Sequence, residues 1–301
     1  MVSVNNVVQI NEEKKYKKPG AGAVIGGVLA GSTVAGAAKL PAKYFSPKIM
    51  EKMQTLSGGL TQDEFKQVEK AAAETIKKSG LADKGVSIVK ATTENMDEVN
   101  RIIAKEFDNN IILKHLPQKI REKIKAGTGG IASMIQSGKN ACYTFHSKKI
   151  LMPKNKLGLA VFHEAGHACN NNLSKFGKIL QKCRPMSILA LPIAMIALFK
   201  TKKAEGEKPK NAVDKVTTFI KENAGKLTFA AFLPVLAEEG LATLKGNKFA
   251  KQLLSPELAK KVAKTNAFGF STYLLKAALS GLGIFAGTKV KDAIAHKKAA
   301  V

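Results

Sequence analysis

The chain has 301 residues and carries 49 Lys+Arg against 23 Asp+Glu, a formal net charge of +26. At about 100–200 residues per domain it has room for one large or two ordinary domains, and with 45% hydrophobic residues it can bury a sizeable core, which excludes wholesale disorder. The three cysteines (Cys142, Cys169, Cys183) form no CxxC pair, which excludes a disulfide scaffold and a cysteine-only zinc site and points to a reducing compartment.

Only Arg101, Arg121 and Arg184 are arginines; the other basic residues are lysines. Such a surplus attracts any polyanion, nucleic acid or anionic lipid. Base readout favours arginine and stacking favours aromatics. Tryptophan is absent and aromatics are 6%, so the expected partners are anionic membrane lipids, with no sequence-specific nucleic acid.

Residues 1–19 read as a polar tail. Gly20 to Ala38 is uncharged and rich in Gly and Ala, and as a helix it would be about 28 Å long. Gly22 and Gly26, and Gly27 and Gly31, have the small-xxx-small spacing of close helix contacts. A membrane segment is the favoured reading over a signal peptide, although Ala35-Gly36-Ala37 would pass as a cleavage site. Thr61-Gln62-Asp63-Glu64 is a capping box opening an amphipathic helix that stops at Ser79-Gly80. Val86 to Val89 is a short strand candidate. Thr93 is the expected cap of a helix through Phe107, with Val99, Ile102, Ile103 and Phe107 on one face. Gly127 to Gly130 is expected to break the chain.

Two extended segments follow, Ala141–Phe145 and Lys149–Met152, then Asn155 as N-cap of a helix from Lys156 to about Asn170. Beyond it the composition turns apolar in bursts. Pro185–Phe199 is uncharged and about 22 Å long as a helix, Leu227–Ala237 is apolar, and Asn266–Thr288 is interrupted only by Lys276.

The chemistry sits in His163-Glu164-Ala165-Gly166-His167, an H-E-x-x-H pattern. Residues i and i+4 of a helix lie about 40° apart around the axis and about 6 Å along it, so both imidazoles reach one metal. Glu164 beside them is placed to deprotonate a water. Zinc suits an imidazole-plus-carboxylate site. A chance match in a chain of this composition is expected roughly once in 200. Asn170 and Leu173 stand where a metzincin needs Gly and His. An aspartate ligand would have to be Asp214 or Asp292; Glu239 in Glu238-Glu239-Gly240-Leu241-Ala242-Thr243 is the better candidate, with Glu238 as alternative third ligand.

The order of these pieces resembles the membrane-associated gluzincin metalloendopeptidases of the heat-shock-induced bacterial and CAAX-prenyl-protease type. The matching residues are Asn140-Ala141, Ile150-Leu151-Met152, His163 to His167 and Glu239-Gly240-Leu241-Ala242, within about residues 139–245. The resemblance implies zinc on His163, His167 and Glu239, with Glu164 as general base. Where the family has Asp, Thr243 stands here, a hydroxyl in place of a carboxylate beside the ligands. The pentapeptide with Ala168 also resembles the HEAGHA of ATP-dependent membrane proteases, but no P-loop occurs. Site-2-type proteases add an Asp-Gly that this chain lacks.

All ligands must lie on one side of a bilayer, so zero or two spans separate His167 from Glu239. Lys221, Glu222 and Lys226 in the return stretch would each cost up to about 3 kcal/mol at mid-bilayer, which favours a re-entrant or interfacial hairpin. The expected fold is α+β, mostly helical, with a zincin-like core, a small sheet and added apolar membrane-associated helices. The expected layout is a tail (1–19), an apolar segment (20–40), a helical region running into the HExxH core (41–184), an apolar hairpin returning the third ligand (185–245), and a C-terminal apolar helix with a basic tail (246–301). The expected function is a zinc-dependent, membrane-associated metalloendopeptidase acting on polypeptide, its zinc domain facing the cytoplasm. Ala141–Phe145 is expected to pair with substrate as an edge strand, with His146 or Tyr273 as candidate oxyanion donors. The alternative is a lysine-rich membrane-binding or membrane-remodelling protein whose HExxH site is structural or degenerate; a soluble nucleic-acid binder ranks third.

Overall fold

The structure, a computed structural model, describes residues 19–38, 40–109, 117–138, 140–154, 158–203 and 207–297. Residues 1–18 of the expected tail and the expected helix start at Asn155 and Lys156 lie outside them. The fold is mostly helical around a small mixed sheet, with three long apolar helical stretches.

The sheet has the order β1-β3-β2, where β1 is Ser87–Ala91, β2 is Cys142–Tyr143 and β3 is Lys149–Pro153. β1 pairs with β3 in parallel (Ile88 opposite Ile150) and β2 pairs with it antiparallel (Tyr143 opposite Ile150). Side chains alternate across the central strand. Ile150 and Met152 enter a large core with Val68, Ala71 and Ile76 of α3 (Gln62–Lys78), whereas Leu151 faces the opposite way. There it meets Val99, Ile102 and Ile103 of α4 (Met96–Asp108) and Ala132 and Ile135 of α5 (Gln118–Gln136). With both faces covered, β3 reads as a continuous apolar run.

Local signals explain most helix ends. Thr61 and Glu64 make both bonds of the capping box on α3, and Gly80 follows in the left-handed region at φ 76°. α4 begins later than expected, after Asn95 rather than Thr93, because the Asn95 side chain is tied to the Thr92 N–H at 2.8 Å and the Lys90 carbonyl at 2.8 Å. The expected break at Gly127 to Gly130 does not occur: α5 runs through it. Each helical glycine costs about 1 kcal/mol relative to Ala, and the burial of Ala132 and Ile135 against the sheet outweighs that cost.

After α5 the chain passes through β2, β3 and a 3₁₀ turn (Gly158–Ala160) into α6 (Val161–Leu173), which carries the HExxH residues. Then come α7 (Lys175–Cys183), a 3₁₀ turn (Arg184–Leu189), α8 (Ala190–Phe199), α9 (Ala212–Glu222), α10 (Ala224–Ala231), α11 (Leu233–Leu253) and α12 (Pro256–Lys297). α12 is unbroken over 42 residues, about 63 Å. Its start follows from Ser255, whose side chain accepts from Leu258 N–H at 3.4 Å, and from Pro256 at the first position.

Three helical stretches are long and apolar enough to cross a membrane: Lys175–Phe199, Ala224–Leu253 and Pro256–Ala295. Against the last of them, and lightly against the first, packs α1 (Ala21–Ala37), a shorter apolar helix. Its buried stripe is Ala23, Gly27, Gly31 and Ala35, every fourth residue. A Cβ at Gly31 would lie 2.5 Å from the Gly287 carbonyl, and one at Gly287 would lie 2.4 Å from the Gly31 carbonyl. Small residues on both helices thus bring the backbones into contact. Of the two glycine pairs in the sequence, Gly27/Gly31 makes this contact, while Gly22 faces open space. Lys221 and Glu222 lie in α9, before the apolar stretch begins at Ala224, and Lys226 is exposed in the first turn of α10. The charges that argued against a crossing therefore sit at the end of the return stretch, not in its middle.

Candidate metal centre

α6 is buried from Val161 to Asn170. It can be that deep because its polar side chains find partners and because it crosses α11 with almost no spacer. A Cβ at Gly166 would lie 2.2 Å from the Ala242 carbonyl, and one at Gly246 would lie 2.5 Å from the Phe162 carbonyl. A glycine on each helix permits the crossing, and the crossing delivers Glu238 and Glu239 to the two histidines.

His163 Nε2 and His167 Nε2 face each other at 3.0 Å. Glu239 Oε2 completes a triangle, 3.1 Å from His163 Nε2 and 3.4 Å from His167 Nε2. The outer imidazole nitrogens are also engaged. His167 Nδ1 lies 2.8 Å from Glu238 Oε1, and His163 Nδ1 lies 3.3 Å from Thr243 Oγ1. Two overlapping groups can hold a metal ion: His163, Glu164 and His167, and His167, Glu238 and Glu239.

Glu164 is buried, and its Oε2 accepts from the Tyr143 N–H of β2 at 2.7 Å. Burial pushes its carboxyl above the usual carboxylate range, against the pull of His167 and His163. Burial opposes charge on His167, but Glu239 and Glu238 outweigh it and lift the imidazole to about 10. A metal ion at this nitrogen must therefore displace a firmly held proton.

Several positioning residues were not singled out as functional by their sequence. Arg184 pairs with Glu238 and places Nη2 2.7 Å from Glu239 Oε1, an ion pair not aligned as a hydrogen bond. Asn170 Nδ2 and Gln181 Nε2 each donate to Glu238 Oε1 at 2.9 Å. Asn171 and Asn172 hold the Tyr143 hydroxyl at 3.1 and 2.9 Å, which fixes the strand that binds Glu164. One signal was available: Arg184 is one of three arginines in the chain and stands at the mouth of an apolar run.

The donor set fits a divalent cation. Zinc held tetrahedrally by N and O at about 2.0–2.2 Å separates its ligand atoms by about 3.3 Å, close to the observed triangle. Once the His167 proton is displaced and Glu164 is ionised, Glu164, Glu238 and Glu239 with Arg184 leave two negative charges in a buried space, which one dication neutralises. The carboxylate on His167 Nδ1 is the partner that orients a metal-binding imidazole.

The other candidates fall elsewhere. Asp214 pairs with Lys200 and Lys203, and Asp292 with Lys221 and Lys291. His146 is exposed in the β2–β3 turn, its N–H held by Glu106. Tyr273, by contrast, stands in the site: its ring lies 5.9 Å from the Arg184 guanidinium and its buried hydroxyl faces Glu239. No protein-family model, curated protein or solved structure matches the chain.

Proposed function

We propose that this protein is a membrane-associated zinc metalloendopeptidase, with His163, His167 and Glu239 as zinc ligands and Glu164 as general base. The observation that carries the proposal is the convergence of three buried donor atoms at 3.0, 3.1 and 3.4 Å beside a fourth, basic carboxylate. Zinc there would polarise a peptide carbonyl and lower the pKa of water to about 7. Glu164, its proton affinity raised by burial, takes a proton from the attacking water and returns it to the departing amine. Glu238 and Thr243 hold the two imidazoles by their outer nitrogens, and Arg184 holds the acidic pair. β2 is one of the two edge strands of the sheet and its Tyr143 N–H meets Glu164, so a polypeptide added to that edge arrives beside the base. The apolar stretches and the lysine surplus support residence at an anionic membrane, with the zinc domain on the cytoplasmic side.

Glu164→Gln is expected to abolish chelator-sensitive cleavage of an unfolded substrate in detergent while keeping about one zinc per chain. His163→Ala is expected to lose the metal as well. Cleavage by Glu164→Gln at the wild-type rate refutes the mechanism. A second reading, a membrane-binding protein with a structural metal site, draws on the extent to which Arg184 and Tyr143 occupy the acidic groups. It predicts metal binding with no cleavage by the wild-type protein.

A further inference from the structure

At the far end of α12 from the metal centre lies a cavity of about 780 Å³ between the loop after α8, α9, the start of α10 and the last turns of α12. Five lysines line it: Lys202, Lys203, Lys215, Lys221 and Lys289. The carboxylates in its wall are Glu207, Glu222 and Asp292, so the lining carries a formal excess of two positive charges.

Two of the ammonium groups behind this wall are deeply buried. Lys221 is 6% exposed and donates to Asp292 Oδ1 at 2.8 Å; Lys291, 1% exposed, donates to the Lys200 carbonyl and lies 2.7 Å from the same Asp292 oxygen. One carboxylate thus stands between two buried ammoniums. Burial, ahead of the opposing pull of Asp292, pushes Lys221 down to about 8. Thr218 Oγ1, in the cavity wall, is buried without a hydrogen-bond partner among the described residues. The cavity thus offers ammonium donors to an anion, with the Thr218 hydroxyl just behind its wall.

The surroundings say what carries that anion. α9 exposes Val213, Val216 and Phe219 at 71%, 55% and 57%, three apolar residues spaced by three on a helix that also bears lysines. That is the pattern of a helix lying in a membrane interface. Phe219 and Phe285 form an apolar part of the cavity wall, and the exposed Leu282 lies one turn before Phe285 on α12. From Tyr273 at the metal centre to Lys291 at the cavity, α12 advances about 27 Å, close to a bilayer's hydrocarbon thickness. The cavity therefore sits where apolar surface gives way to lysines.

We propose that this cavity seats the phosphate headgroup of an anionic phospholipid, its acyl chains lying against the apolar surface of α9 and α12. The chemistry recognised is a phosphate diester whose negative charge no headgroup cation cancels, and the lipid rather than free phosphate is the occupant because an apolar wall adjoins the donors. The site is independent of the metal centre.

The test uses the full chain reconstituted in phosphatidylcholine nanodiscs containing phosphatidylglycerol, with retained lipid counted by native mass spectrometry. The variant Lys221→Met/Thr218→Val is expected to retain about tenfold less phosphatidylglycerol than wild type. The variant Lys66→Gln/Lys70→Gln/Lys77→Gln, which removes exposed charge from α3, is expected to change retention less than about twofold. Equal losses from the two variants, or phosphatidylcholine retained as well as phosphatidylglycerol, overturn the proposal. So does millimolar inorganic phosphate raising the Tm as much as the lipid does, because phosphate alone then accounts for the site. If circular dichroism shows that the double variant does not fold, Lys215→Gln/Lys289→Gln at the rim replaces it. Its expected loss is about threefold, and unchanged retention overturns the proposal equally.

Discussion

Gly166→Ala adds one methyl group at the tightest point of the α6–α11 crossing. That carbon would lie 2.2 Å from the Ala242 carbonyl oxygen and 2.8 Å from its Cα, inside the 3.0 Å that real Cβ contacts respect. The obstacle is backbone on both sides, so α11 must retreat by about 1 Å, at a cost of about 1–3 kcal/mol. Glu239 Oε2 now lies 3.1 and 3.4 Å from the two Nε2 atoms; a 1 Å retreat takes it to about 4 Å, beyond the edge of a zinc tetrahedron. Metal affinity is expected to fall at least about 100-fold, measured by competition with a chromogenic chelator, and the Tm in detergent to fall with it. Gly240→Ala is the control. It lies on α11 next to Glu239, yet its added Cβ meets nothing nearer than Phe270 Cε2 at 3.9 Å. It is expected to keep the metal and gain up to about 1 kcal/mol of helix stability. Wild-type metal affinity in Gly166→Ala, or an equal loss in Gly240→Ala, refutes the claim that this crossing builds the centre.

Glu239→Ala is expected to remove stoichiometric zinc from the purified protein. Glu238→Ala is expected to keep it with about 10–100-fold weaker affinity, because Glu238 steadies His167 by its outer nitrogen; metal analysis of both variants distinguishes them. Lys221 binds its proton less tightly in the folded protein, at about 8 against 10.5 for an ordinary lysine. Between those values the unfolded chain holds more protons, so Tm is expected to rise with pH across that window, and Lys221→Met should flatten the rise. Gly31→Val would press its side chain into the Gly287 carbonyl, 2.5 Å from the nearest position of an added Cβ. Loss of the α1–α12 contact is expected to cost about 1–3 kcal/mol, read as a lower Tm in detergent and faster proteolysis near α1.

What could be read in advance was what depends on near neighbours. The capping box at Thr61, the apolar face of α4 and the extended stretch at β3 are local patterns, and all appear in the fold. The HExxH residues share a face because helix geometry requires it once α6 forms. The glycine run at Gly127 to Gly130 misleads because propensity there yields to burial of Ala132 and Ile135 within the next turn and a half. Arg184, Gln181 and Asn170 were not foreseen for the same reason: each acts on Glu238, which is remote in sequence and arrives only when α11 crosses α6. The division of labour between Glu238 and Glu239 likewise depends on the rotation of α11 about its own axis, which the adjacent carboxylates in the sequence leave open.

The length of α12 has one more consequence. Its helix is continuous from the Leu258 contact in the core, past Tyr273, to Lys291, so no hinge can absorb a change in residue number. Four residues inserted after Tyr273 would move the far end outward by about 6 Å and turn it by about 40°; seven would move it by about 10 Å and return nearly the same face. Tolerance to insertion there should be periodic, with heptads accepted and single residues rejected.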